Sequence, residues 1–437
     1  PRSTLFPYTT LFRSQPLRIS ADEHVTGGRN IEDTKTIVPY LDRAGISYVH
    51  VTAGVYRSFN AVIPSMYTDH GWIADYAKEV KEVTNLPVIT VGRVNDPRIA
   101  DTIIKCGKAD LVSMGRQSMA DPETPSKAKE GRFDDIRTCI GCHHGCIGNL
   151  LANIPGSCIL NPMLGHESEY REIKADHPKN VVVIGAGPAG LAAAISAASS
   201  GHKVTVYDRR RWPGGQFRLG AVPPGKGEIV NFINWQLHEL EKLNVPVHMK
   251  TEVTAELLKG QKPDVVIAAT GATPIIPKIP GVDRENVVTS HEVLEGEKNT
   301  GGKVIVIGGG CVGAETANHL ASNLKEVTLV EILPDIATDE IVVPRWGLLA
   351  ELDKNKVRVC TETTVKEIGE KTVILAGKIN EEIPYDTVVL AVGSSSDDAF
   401  AKCLESDGYD VRIIGDAAKV GLVGAAITEG FLLGRDL

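Results

Sequence analysis

A 28-residue segment of this chain occurs twice, and that repeat narrows the folds open to it more than any other feature. Residues 181–208 read VVVIGAGPAGLAAAISAASSGHKVTVYD, and residues 304–331 read VIVIGGGCVGAETANHLASNLKEVTLVE; the two align without a gap. Gly185, Gly187, Gly190 and Asp208 fall on Gly308, Gly310, Gly313 and Glu331, each 123 residues further on. In both copies an apolar run enters a G-x-G-x-x-G turn, a helical pattern follows, and a second apolar run ends on an acid 18 residues past the last glycine. Strand, turn, helix and strand make a βαβ unit. The uncharged stretch 181–199 has the length of a membrane span, but Gly and Pro interrupt it and the strand pattern HKVTVYD follows. A buried strand and a packed helix explain it better, and no membrane contact is expected.

Each position in the loop has a physical task. The first glycine permits the tight turn. The second lets backbone approach a pyrophosphate, whose charge meets the N–H groups and dipole at the helix start. The third lets helix and strand pack closely, and the acid accepts hydrogen bonds from ribose hydroxyls. One loop alone is weak evidence. Two complete copies predict two nested Rossmann-like dinucleotide-binding domains. Glu331 would repel a 2′-phosphate and no Arg follows it immediately, so NADH is favoured over NADPH.

The 437 residues, 42% hydrophobic and 23% charged, have room for two or three domains. A net charge of −8 without a basic block argues against nucleic acid as a partner. Thr4–Ser14 resembles a translated sequencing adapter, so residues 1–15 are set aside and the chain is expected to begin mid-gene. From Pro16 to Gly131 short strand patterns alternate with helix signals. PLRIS (16–20), YVHVTAG (48–54), PVITVGR (87–93) and LVSMGR (111–116) read as strands. Asn30 can cap a helix over 31–43. Asp96 with Pro97 starts another that Gly107 ends, and Asp121 with Pro122 starts a third that Gly131 ends. Four βα units in succession predict parallel sheet, half the eight strands of a (β/α)8 barrel.

Four of the eight cysteines, Cys139, Cys142, Cys146 and Cys158, crowd into twenty positions between this front part and the first glycine loop. Their spacing, C-x2-C-x3-C-x11-C, suits four thiolate ligands of a [4Fe–4S] cluster. A structural zinc site is the rival, since zinc accepts four thiolates, or three with an imidazole from His143 or His144. Cysteines that are merely buried are a third reading. Two nucleotide loops behind the segment favour the iron–sulfur assignment, because electrons must then cross it, and the two histidines are expected to pack or face solvent rather than ligate. Cys106, Cys311, Cys360 and Cys403 read as isolated buried thiols. No disulfide framework is expected, which fits a reducing cytoplasm.

The first loop, GAGPAG with Pro188 and Ala189, together with GGQ at Gly214, Gly215 and Gln216, resembles the FAD loop of two-dinucleotide flavoproteins. So does IIGDA, whose Asp416 would reach the ribityl chain. AATGATP (268–274) and AVGS (391–394) resemble the crossovers around an inserted NAD(H) domain. Taken with the barrel end, the cysteine spacing and the Asn161–Pro162 pair after the last cysteine, the chain resembles the multidomain branch of the old yellow enzyme family, which includes the dienoyl-CoA reductases and related NADH:flavin oxidoreductases. The resemblance implies an α/β fold: the C-terminal half of a (β/α)8 barrel over 16–131, an iron–sulfur segment over 132–178, an FAD domain over 179–300 and 394–437, and an NAD(H) domain over 301–393. It implies FMN in the barrel. Arg18 would face the flavin, and Gly92 with Arg93 and Gly115 with Arg116 would hold its phosphate from strand ends.

The activity implied is reduction of an activated C=C bond in a small molecule, with electrons passing from NADH through FAD, the cluster and FMN. Oligomerisation is left open. An amine dehydrogenase passing electrons outward is one alternative; a nucleotide-binding fragment with a structural zinc is another. The proton donor, a Tyr or His in this family, is expected in the missing half. The loop VYRSFNAVIPSMY holds no His where dienoyl reductases carry one, though Tyr56 or Tyr67 could line a substrate site. No substrate turnover is expected from half a barrel, whose strand edges stay open.

Overall fold

The computed structural model describes residues 16–170 and 173–437; the adapter-like segment lies outside them. The chain divides into two compact units, Pro1–His143 and His144–Leu437.

In the first unit β1 (Pro16–Ser20), β2 (Tyr48–Thr52), β3 (Val88–Thr90) and β4 (Leu111–Val112) lie side by side, all parallel. The helices α1 (Ile31–Arg43), α2 (Ala74–Lys81) and α3 (Pro97–Lys105) connect them. The expected caps form: the Asn30 side chain accepts from Glu32 and Asp33 N–H while Asp33 reaches back, and Asp96 accepts from Arg98 N–H. Alternation along the strands sorts the faces. Ile19, Val49, Val51 and Val88 pack with Val38, Ala77, Val80 and Ile103 from the helices. The opposite face carries Arg18, His50, Ile89 and Leu111 in one register row. Helices on one side and a polar-containing row on the other are what half of a (β/α)8 barrel presents.

Two expectations for this unit need correction. The helix α4 (Gly115–Ala120) begins at Gly115, so Gly115 and Arg116 open a helix instead of finishing a strand. The helix α5 (Thr124–Lys129) begins later than the Asp121–Pro122 pair suggests. Asp121 is drawn into other contacts: its carboxylate accepts from Glu123 N–H and Arg137 N–H and pairs with Lys127 at 2.8 Å.

In the second unit two five-stranded parallel sheets share one plan. The first runs β19-β8-β5-β6-β7: Val411–Ile413, Val265–Ala268, Asn180–Ile184, Lys203–Tyr207 and Val247–His248. The second runs β10-β17-β11-β12-β13: Val287–Thr289, Thr387–Leu390, Lys303–Ile307, Glu326–Val330 and Arg358–Cys360. The helices α6 (Pro188–Ser199) and α8 (Cys311–Ser322) follow β5 and β11, as the duplicated sequence requires; a short helix α7 (Gly215–Leu219) lies between them in sequence. The crossovers pair with each other, β9 (Ala272–Pro274) antiparallel to β18 (Ser394–Ser396). An antiparallel sheet of β14 (Thr363–Ile368), β15 (Thr372–Gly377) and β16 (Glu382–Pro384) had no sequence forecast. Among the described residues no helix is long and apolar enough to cross a membrane.

The isolated cysteines divide. Cys360 is buried and Cys311 partly so, but Cys106 and Cys403 are exposed, which corrects the buried reading for those two. Cys106 sits at the C-cap of α3 and Cys403 on the outer side of the helix Ala399–Ser406, where neither is needed in a core.

Candidate dinucleotide and cofactor sites

The two glycine turns repeat one geometry. Gly185 and Gly308 both take positive φ, +111° and +102°. A Cβ on Gly190 would lie 2.0 Å from the Gly185 carbonyl oxygen, and one on Gly313 would lie 1.8 Å from that of Gly308, so only glycine lets each helix close on its strand. The acids repeat as well. Asp208 accepts from Ala186 N–H at 2.8 Å and from Arg210 N–H at 2.7 Å. Glu331 accepts from Gly309 N–H at 2.5 Å and from Leu333 N–H at 2.7 Å. Both carboxylates are buried and held by corresponding amides, fixed at the end of the second strand where a ribose would reach them.

The first turn opens into a cavity of about 650 Å³, a size suited to a cofactor. Gly185, Gly187, Pro188 and Ala189 line one part of it, and Asp208 lines another. Gly215, Gln216 and Asp416 complete the set, so of the first-loop residues singled out from sequence only Gly190 stays behind the wall. Gln216 donates its side-chain amide to the Ala272 carbonyl, tying the GGQ turn to the crossover β9. Burial pushes the Asp416 carboxyl above its usual range, partly offset by the Gly421 N–H it accepts from at 3.0 Å.

Around the second turn lies an ionisable cluster that sequence reasoning missed. The Cys311 sulfur, Glu315 and Glu340 each bring a polar atom within 4.8 Å of the others. Lys226 pairs with Glu315 at 2.5 Å and His144 with Glu340 at 2.9 Å. Burial, then the charges of Glu340, Asp339 and Glu315, push the Cys311 thiol well above its usual range. Burial also works to raise Glu340, but the His144 hydrogen bond, with help from the Ile341 N–H and Lys226, holds it below the ordinary carboxylate range. These partners are distant in sequence, so no local motif announces them.

In the barrel unit Arg18 is exposed on the inner row beside His50. Burial, then the Arg18 charge, lowers the His50 pKa, and its Nε2 is buried with no hydrogen-bond partner. Strand alternation alone could have pointed to His50. Gly92, at φ +115°, lies just past the end of β3; the Arg93 guanidinium donates to the Thr68 carbonyl. Arg116 points one guanidinium nitrogen at His143 Nε2, 2.5 Å away. Tyr56 is 91% exposed, and Tyr67 is partly buried.

Of the clustered cysteines, Cys139 and Cys142 end the first unit, while Cys146 and Cys158 begin the second. All four are of intermediate exposure. Cys139 N–H donates to Gln117, and the Cys139 carbonyl accepts from Asn95. The neighbouring imidazoles are engaged elsewhere, His143 with Arg116 and His144 with Glu340.

Residues 15–135 match the model of the NADH:flavin oxidoreductase / NADH oxidase family, and residues 179–416 match that of the pyridine nucleotide-disulphide oxidoreductases. An NADH oxidase of Thermoanaerobacter brockii is 42% identical over 95% of this chain and 65% of its own length. A cinnamate reductase of Clostridium sporogenes is 34% identical over 95% of this chain and 63% of its own length. The solved structure of 2-naphthoyl-CoA reductase in complex with 2-naphthoyl-CoA superposes with a TM-score of 0.93 at 31% identity, covering 96% of this chain and 64% of that one. The chain thus spans just under two thirds of the length of these relatives.

Proposed function

Because the chain belongs to the NADH:flavin oxidoreductase / NADH oxidase family, in the form joined to a pyridine nucleotide-disulphide oxidoreductase module, we propose that the protein is a flavin- and iron–sulfur-dependent NADH oxidoreductase that reduces activated C=C bonds. The observation that carries this reading is the matched seating of Asp208 and Glu331, which prepares a ribose site behind each glycine turn. When bound, FAD, a [4Fe–4S] cluster and FMN supply the means to take a hydride from NADH, move its electrons singly and deliver them again as a pair.

The chain's own residues would do the holding. Gly187 and the start of α6 receive the FAD pyrophosphate, Asp208 the ribose, and Asp416 the ribityl hydroxyls. Gly310, Gly313 and Glu331 serve NADH in the same way. NADPH is disfavoured: Glu331 would oppose a 2′-phosphate, and Arg345, on the helix Val342–Lys354, is tied to Asp335 and the Ile336 carbonyl. Cys139, Cys142, Cys146 and Cys158 would hold the cluster; the commitment of His143 and His144 to other partners supports four sulfurs over a mixed thiolate–imidazole set. Arg18 would stabilise negative charge on reduced FMN. The unpartnered Nε2 of His50 marks the same inner row as built for a polar occupant. Gly92 and Gly115 offer backbone at the phosphate end, and the guanidinium groups of Arg93 and Arg116 bring positive charge to it. The cinnamate and naphthoyl-CoA reductases support a conjugated double bond as the substrate class.

Anaerobically purified protein should contain iron and acid-labile sulfide at about four each per chain, and NADH should bleach its FAD absorbance. Zinc without sulfide would remove the cluster. Bound FAD that NADH leaves oxidised would remove the reductase reading and favour amine oxidation.

A further inference from the structure

The two glycine turns differ in one respect that their sequences conceal. In the first, the middle glycine, Gly187, has nothing within 4 Å of the position a Cβ would take, and it faces the large cavity. In the second, the same face of Gly310 is covered. The Asp339 carboxylate lies there, Oδ2 at 3.5 Å and Oδ1 at 3.8 Å from the Cβ position. Both oxygens also accept from Cys311 N–H, the first amide of α8, at 2.9 and 3.2 Å. A bare glycine face beside the first amides of a helix is where a dinucleotide's pyrophosphate sits. Here an anion of the chain's own is already in that place.

We infer that Asp339 occupies the pyrophosphate seat of the second turn and so sets its affinity for NADH. The inference deepens the proposed function and rests on the nicotinamide reading of that turn. The delivery of Asp339 is specific. The segment after β12 folds back so that Ala337 N–H donates to the Gly309 carbonyl at 2.7 Å, with Ile336 buried against Gly309. On the other side Glu340 is held by His144. Asp339 lies between these two anchors with its own side chain exposed. It can therefore swing into water without unfolding the segment. Two anions cannot share one amide at close range, so a dinucleotide binds only as the carboxylate leaves, and the helix start trades one negative partner for another. The first turn has no such competitor, which fits a tightly kept FAD beside an exchanging NADH.

The test uses the FAD-loaded protein and ADP-ribose, which carries the pyrophosphate without the nicotinamide, with binding followed by calorimetry. Asp339→Asn keeps an acceptor for Cys311 N–H and removes the charge; Asp339→Ala removes both. Both variants should bind ADP-ribose about two- to tenfold more tightly than the parent protein, while adenosine, which has no phosphate, should bind unchanged. Unchanged or weaker ADP-ribose binding by Asp339→Asn overturns the inference, whatever the folding of the alanine variant. Failure of all three proteins to bind ADP-ribose overturns the nicotinamide reading of the turn, and the inference with it.

Discussion

Asp416 shows how burial can set the charge preference of one side chain. It is half-buried at the wall of the large cavity, and burial raises its pKa above the ordinary aspartate range. A raised folded-state pKa means that the folded chain holds the proton more tightly than the unfolded one. The stability this contributes is complete below the unfolded pKa and lost as pH climbs through the folded value. At neutral pH an ionised Asp416 therefore costs the FAD-free fold stability, and donors from a ligand would offset that cost. Asp416→Asn should raise the melting temperature of FAD-free protein at pH 7, by a margin that shrinks on acidification toward about pH 4. It should also weaken FAD by about tenfold, or about 1.4 kcal/mol. A margin that grows in acid would contradict the sign. Cys311 makes the complementary case. Its thiol is pushed up by burial and by three carboxylates, which favours the thiol over the reactive thiolate. Brief iodoacetamide treatment followed by peptide mapping should find the exposed Cys106 and Cys403 alkylated well before Cys311. Early labelling of Cys311 would show that the carboxylate cluster does not form in solution.

Among the elements, the two βαβ turns invite a paired substitution. Gly190→Ala would put a methyl group 2.0 Å from the Gly185 carbonyl oxygen, so α6 must lift off β5. Overpacking of this kind costs about 1–3 kcal/mol, read as a lower melting temperature together with loss of FAD. Gly187→Ala meets nothing within 4 Å, so the fold should keep its melting temperature while FAD binding falls. Equal melting losses in both would mean that the turn tolerates no side chain anywhere, and the division between packing and ligand faces would fail. This division was legible in the sequence, because glycines at fixed offsets between a strand and a helix admit few structures. The caps at Asn30 and Asp96 were legible for the same reason: they are local. The displaced start of α5 was not, because Lys127 and Arg137 compete for the Asp121 carboxylate. The sheet β14–β16 was missed because its partners are set by tertiary pairing. Contacts such as Asp339 on Cys311 and His144 on Glu340 join residues far apart in sequence and were silent for the same reason.

For the molecule taken whole, the two units should differ in what they can do by themselves. The second holds a closed pattern: two complete parallel sheets, joined by paired crossovers, with a formed cavity. The described part of the first holds four parallel strands whose outer members, β1 and β4, each have a neighbour on one side alone. Its inner row is correspondingly bare, with Leu111 50% exposed where a closed barrel would cover it with side chains from facing strands. A flavin there would meet Arg18 and His50 on one wall and water on the other, and water weakens every charge interaction that the site relies on. The 437-residue chain should therefore bind FAD and show NADH-dependent bleaching, yet give no measurable reduction of cinnamate or of an aromatic acyl-CoA. On the proposed function, fusing four further parallel strands from a relative ahead of Pro16 should give measurable ene-reduction without changing the rate of FAD bleaching. If the chain reduces such substrates without the fusion, then either four strands suffice to seat FMN or the chemistry takes place at the second unit. FMN content, measured on the same preparation, separates those two outcomes.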